Sequence, residues 1–221
     1  YNLYEPSNPL LASATVTDVS CNGLSDGILS LVTTGGTPIY SYSWNNGQNS
    51  QDFTNLTVGT YTCTITDNNG CIAYATATVE QPQELVLTAS SVSTSCFGYD
   101  DGSVGVVPQG GVTPYTYNWS NGQTTQQAIN LVAGSYSVIV LDGNNCAVSA
   151  SAALGQPVQV GAVLTPINIL CNGDSSGNIT VSNVTGTTGI YSYDWSDEHD
   201  DPINQNLSAG NYYVTITDGN G

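Results

Sequence analysis

Residues 55–71 read NLTVGTYTCTITDNNGC, and near-copies return at 130–146 (NLVAGSYSVIVLDGNNC) and 206–221 (NLSAGNYYVTITDGNG). Each holds Leu-x-x-Gly-x-Tyr, then an alternating run, then an Asp turn at Asp67, Asp142 or Asp218. In the first copy Tyr61, Cys63 and Ile65 alternate with Thr60, Thr62 and Thr64. Period-2 alternation rich in β-branched residues marks a strand with one buried face. A Tyr two residues ahead of a core position, just after a corner, is the tyrosine-corner pattern of immunoglobulin-like sandwiches. Tyr61, Tyr136 and Tyr212 hold that place ahead of Cys63, Val138 and Val214.

The repetition extends outward from this stretch. CNGLSDG from Cys21, CFGYDDG from Cys96 and CNGDSSG from Cys171 open each copy, 75 residues apart. An aromatic segment follows each time: GGTPIYSYSW to Trp44, GGVTPYTYNW to Trp119 and GTTGIYSYDW to Trp195. The last spacing is 76 residues, one insertion. A fixed period with shared landmarks is the signature of an array of like units. This one is long enough for a small sandwich.

Strands are expected at Ala14–Val19, Gly27–Thr33, Tyr40–Trp44, Gln51–Thr54, Tyr61–Ile65 and Ile72–Val79 in the first copy. Leu29 and Leu31 align with Val104 and Val106 and with Ile179 and Val181, which defines a core face. Each Trp falls on the strand where such folds bury one. The fold class is therefore all-β, a tandem array of immunoglobulin-like antiparallel β-sandwich domains. Expected bounds are a leading segment 1–9, then repeats at 10–82, 83–157 and 158–221, the third lacking its last strand. The Gln81-Pro82 and Gln156-Pro157 linkers are short and stiff, which predicts a semi-rigid rod.

Composition narrows the function. The chain has no Lys or Arg, 17 acids and one His, for a formal charge of −17. Nucleic acid is excluded as a partner, because phosphate binding needs cationic side chains. No apolar run approaches the roughly 18 residues of a membrane-spanning helix, so no direct membrane insertion is expected. One His and no Lys or Arg leave three copies without three equivalent acid–base or nucleophile sites. An enzyme is not expected. Six Cys in so acidic a chain favour an oxidising compartment.

Cys21 and Cys71 are 50 residues apart, as are Cys96 and Cys146. The spacing predicts one bridge within each repeat, with Cys171 awaiting a partner one residue past Gly221. Cys63 stands where other copies have Val, and reads as a buried free thiol. Intra-repeat bridges would draw Asp26 towards Asp67, and Asp101 towards Asp142, with Asn69 and Asn144 as neutral oxygen donors. In the third copy Asp218 keeps its place, while Ser176 replaces the first acid and Asp174 lies close to it. Two readings stand: an oxygen-only calcium site, or Asp turns whose carboxylates accept backbone hydrogen bonds. No cofactor is required by either the fold or the motifs. Asp197-Glu198-His199-Asp200-Asp201 reads as a solvated acidic loop. The Tyr and Trp triplets read as core rather than as a sugar platform.

TVTDVSCNGLSDG, GGTPIYSYSW, NLTVGTYTCTITDNNGC and TVEQP together resemble the SprB repeat, over about residues 11–221. That resemblance implies an extracellular array on the surface of Bacteroidota, exported by the type IX route, and serving attachment or gliding as a stalk or filament. Expected partners are neighbouring repeats of the same long chain, further copies through lateral or end-to-end self-assembly, and surface polysaccharide. The other functions weighed are a polysaccharide-binding array and an accessory region of a secreted enzyme.

Overall fold

The computed structural model describes residues 8–186 and 189–220. Most of the expected leading segment (residues 1–7), Thr187, Thr188 and Gly221 lie outside the described residues. Among those described there is no helix, and so none long and apolar enough to cross a membrane.

The first repeat runs β1 (Leu11–Thr17), β2 (Gly27–Thr34), β3 (Ser41–Trp44), β4 (Phe53–Leu56), β5 (Gly59–Thr66) and β6 (Ile72–Val79). Its strands form two antiparallel sheets, β1-β2-β4 and β3-β5-β6. This is the immunoglobulin division, with strands A, B and E on one sheet and C, F and G on the other. The second repeat supplies β7 (Val86–Val92), β8 (Gly102–Gln109), β9 (Thr116–Trp119), β10 (Gln127–Leu131), β11 (Gly134–Leu141) and β12 (Ala147–Leu154). These repeat the pattern as β10-β8-β7 and β12-β11-β9. The third has β13 (Gly161–Ile167), β14 (Gly177–Thr185), β15 (Tyr191–Trp195), β16 (Ile203–Leu207) and β17 (Val214–Asp218), in sheets β13-β14-β16 and β15-β17.

By backbone proximity the chain divides into two compact units. One comprises residues 1–88, 107–117 and 139–149; the other comprises 89–106, 118–138 and 150–221.

The core follows the predicted faces. Leu29, Leu31, Trp44, Phe53, Leu56, Tyr61, Cys63, Ile65 and Val79 are buried together in the first repeat. Trp44 meets Phe53 edge-on, with ring centroids 5.1 Å apart, an arrangement aromatic quadrupoles favour. β6 keeps its expected bounds and β2, β3 and β5 differ by one or two residues at an end, whereas β1 and β4 are displaced at both ends. β1 starts at Leu11 and stops at Thr17, because Val19 leaves the ladder and donates instead to Glu80 O at 2.9 Å. β4 runs Phe53–Leu56, displaced from Gln51–Thr54 around a bulge.

That bulge explains two sequence landmarks. Asn55, Asn130 and Asn206 all take left-handed backbone, at φ 61°, 57° and 58°, which Asn tolerates better than other side-chain-bearing residues. The glycine ending each opening motif lies against the same place. A Cβ on Gly27, Gly102 or Gly177 would stand 2.9, 2.9 or 2.8 Å from the carbonyl oxygen of Leu56, Leu131 or Leu207. Only glycine lets the two backbones approach so closely.

Candidate functional site: the cysteine loop and the aspartate turn

The tyrosine corner is present three times. Tyr61 Oη donates to Thr57 O at 3.0 Å, Tyr136 Oη to Val132 O at 2.9 Å and Tyr212 Oη to Ser208 O at 3.0 Å. The tryptophans are core residues, 4, 3 and 3 % exposed at Trp44, Trp119 and Trp195. Their indole N–H groups are also engaged, donating to Ser50 O, Thr125 O and Asp201 O at 2.8–2.9 Å. With both face and N–H used internally, these rings offer no stacking platform.

The aspartate turn is a carboxylate saturated by backbone. Asp67 accepts N–H groups from Thr37 at 2.8 Å on one oxygen, and from Asn69 and Cys71 at 2.9 and 2.8 Å on the other. Asp142 repeats this with Val112, Asn144 and Cys146 at 2.9 Å each. The Thr37 N–H foremost holds the Asp67 carboxyl below its ordinary value of 3.8, against burial. At Asp142 burial pushes the carboxyl up, but the N–H groups of Val112, Cys146 and Asn144 outweigh it and the net shift is downward. In the third repeat Asn220 N–H donates to Asp218 at 3.0 Å.

The cysteine loop is held differently. Asp26 and Asp101 accept the Ser20 and Ser95 N–H groups at 3.0 Å each. Their carboxyls are held low chiefly by these serines. The loop is also clasped by its outgoing linker: Gly23 N–H donates to Gln81 Oε1 at 2.9 Å and Asn22 Nδ2 to Pro82 O at 3.1 Å. Gly98 N–H repeats the contact with Gln156 Oε1 at 3.0 Å. Thus the Gln of each Gln-Pro linker locks the loop that carries the first cysteine.

This corrects the expected disulfides. Cys21 pairs with Cys146 across a Cα–Cα distance of 5.7 Å, joining the first repeat to the second. Cys71 and Cys96 are free thiols, so neither the Cys21–Cys71 nor the Cys96–Cys146 bridge forms. The physical reason is strand length. Val19, two residues before Cys21, binds Glu80 at the end of β6, whereas Cys71 immediately precedes its start. Eight strand residues span about 26 Å, and a disulfide tolerates at most about 7 Å between Cα atoms. Cys63 is buried and free as expected, and burial pushes its thiol pKa up against a Ser43 backbone hydrogen bond.

The gathering of acids that would have made a calcium site depended on the intra-repeat bridges. Among the described residues no three His, Cys, Asp or Glu side chains stand together. Asn69 and Asn144 act through their amide nitrogens, Asn69 Nδ2 donating to Thr37 Oγ1 at 2.8 Å and Asn144 Nδ2 to Ser20 O at 2.7 Å. Asp174 receives Ser176 Oγ at 3.5 Å in the exposed loop after Cys171. Asn144 is the contact that sequence reasoning assigned to the wrong partner. Its place two residues before Cys146 was the available signal.

These features define a tandem array of small immunoglobulin-like β-sandwiches, each with its own tyrosine corner, buried tryptophan and aspartate turn. The family model described as the SprB repeat matches the chain at residues 13–49, 88–124 and 164–199. The chain belongs to the SprB repeat family, and is an extracellular adhesin-type repeat region. No curated protein matches it. Among solved structures it is similar to the N-terminal eight Ig domains of Down Syndrome Cell Adhesion Molecule isoform 1.30.30. There the TM-score is 0.40 at 14 % identity, over 84 % of this chain and 29 % of that one. It is also similar to the amphioxus IgVJ-C2 molecule, with TM-score 0.27, 12 % identity, and coverage of 64 % of this chain and 96 % of that one. The chain thus spans less than a third of the first of these.

Proposed function

We propose that these repeats are a stalk or filament segment of a large bacterial surface adhesin, spacing an adhesive part away from the cell in attachment or gliding. The observation carrying this reading is that the three sandwiches repeat one internal bonding scheme, corner tyrosine to carbonyl and indole to carbonyl, which spends the recurring aromatic side chains on the fold itself. The polysaccharide-binding alternative calls for exposed tryptophans, and these are buried. The high acidic charge, with no Lys or Arg, suits a solvated spacer that neither sticks to anionic surfaces nor offers trypsin-like proteases a site. Export by the type IX route and a role in gliding belong to this proposal through the family.

The test is repeat number. Removing or adding one 75-residue copy within the parent surface protein should change the reach of the adhesin and leave its ligand preference unaltered. Loss of binding to one particular glycan on removing a single copy would overturn the stalk reading in favour of the binding array.

A further inference from the structure

The Cys21–Cys146 bridge is accompanied by a hydrogen bond, Asn144 Nδ2 to Ser20 O at 2.7 Å, that joins the residue before the first cysteine to the residue two before the second. The same bond recurs one period on: Asn220 Nδ2 donates to Ser95 O at 3.2 Å. Cys96 follows Ser95 as Cys21 follows Ser20. Its loop is clasped by Gln156 as the first is by Gln81, and it carries a partly exposed free thiol. The serine–asparagine bond and the glutamine clasp of the bridged loop are therefore both repeated around Cys96, where Phe97 replaces Asn22 and its bond to the linker, and the second sulfur is the part not present.

We propose that Cys96 is a second bridging site, closed by a cysteine two residues beyond Asn220, so that bridges in this array run from each repeat to the next rather than within one. On this rule Cys71 and Cys171 take partners only from repeats beyond these three. The chemistry is thiol–disulfide exchange. One thiolate attacks a small disulfide oxidant, forming a mixed disulfide and releasing one small thiol; the other thiolate attacks that mixed disulfide, so that one S–S bond forms in the protein, the oxidant's S–S bond is broken, and two protons and two electrons leave as two small thiols. The loop spans about 125 residues, as at the first bridge, so each bridge ties two sandwiches covalently without crossing either.

The test extends the full chain by CAVSASAA, the sequence of residues 146–153, directly after Gly221. The protein is refolded in a mixture of reduced and oxidised glutathione and mapped without reduction, using proteases that cut at acidic or aromatic residues. The expected result is near-complete pairing of the added cysteine with Cys96, lost in C96S and retained in C171S. Recovery of Cys21–Cys146 in the same digest reports that the chain has folded. Pairing of the added cysteine with Cys171, or a free added cysteine beside an intact Cys21–Cys146 bridge, would overturn the proposal. Absence of both bridges from a chain with the circular dichroism of folded β-sheet would overturn the inter-repeat rule altogether.

Discussion

Trp44 shows how single residues carry this fold. Its ring fills the space between the sheets against Phe53, and its N–H donates to Ser50 O, so truncation removes both a large buried apolar surface and a hydrogen bond from the indole. Trp44→Ala should destabilise the protein by about 3–5 kcal/mol, measured by urea unfolding. An equally stable variant that had lost affinity for a sugar would place the ring on a binding face instead. The third repeat makes the same point in reverse. Asn204 occupies the core place held by Phe53 and Ala128, is fully buried, and leaves its Oδ1 without a partner while Nδ2 binds Asp197. Glu198 likewise sits at φ 71° where the other repeats have Gly47 and Gly122 at φ 80° and 85°. The acidic loop 197–201 was legible as exposed and charged, but its reach into the core through Asp197 and Asn204 was not, because Asn204 breaks the apolar pattern.

At the scale of elements, the aspartate turn is the part whose chemistry can be switched. Both Asp67 and Asp142 have carboxyl pKa values below the ordinary 3.8 in the folded protein. A carboxyl depressed on folding contributes stability that is complete above its unfolded value, near 4, and is lost as pH falls through the lower folded value. Unfolding midpoints should therefore hold level from neutral pH down to about 4 and fall below it. Asp67→Asn should lower stability at pH 7, where an amide N–H would confront the Thr37 or the Asn69 and Cys71 N–H groups, and should flatten the acid-side slope. Because these carboxylates are filled by backbone donors, a calcium chelator at pH 7 should leave the thermal midpoint unchanged. A drop on chelation would assign the carboxylates to a cation and not to the turn. Most of this element was legible. The Asp-Asn-Asn-Gly run signalled a turn, and Leu-x-x-Gly-x-Tyr signalled the corner three times. What stayed hidden was the glycine at 27, 102 and 177, whose role depends on a carbonyl from β4, β10 or β16 that no local pattern announces.

At the scale of the whole molecule, repetition revealed the array yet concealed its covalent wiring. A bridge from Cys21 to Cys71 and one from Cys21 to Cys146 differ by one period, so spacing alone treats them alike. Only the direction of β6, which carries the chain from Cys71 away to Glu80 beside the Cys21 loop, separates them. The two wirings respond differently to force. In the structure one bridge closes a sequence separation of 125 residues. When the chain is pulled from its two ends, that segment stays slack until the bridge is reduced. At about 3.5 Å per extended residue, reduction under load should then release about 440 Å in a single step. Two intra-repeat bridges would instead release two steps of about 175 Å each, from loops of about 50 residues. Pulling the oxidised protein between its termini, with a reductant added after the sandwiches have unfolded, distinguishes these outcomes directly. A single long step, absent in Cys21→Ser, is the expected result. Two short steps would return the cysteines to their own repeats, and would leave Asn144 and Ser20 joined by a hydrogen bond alone.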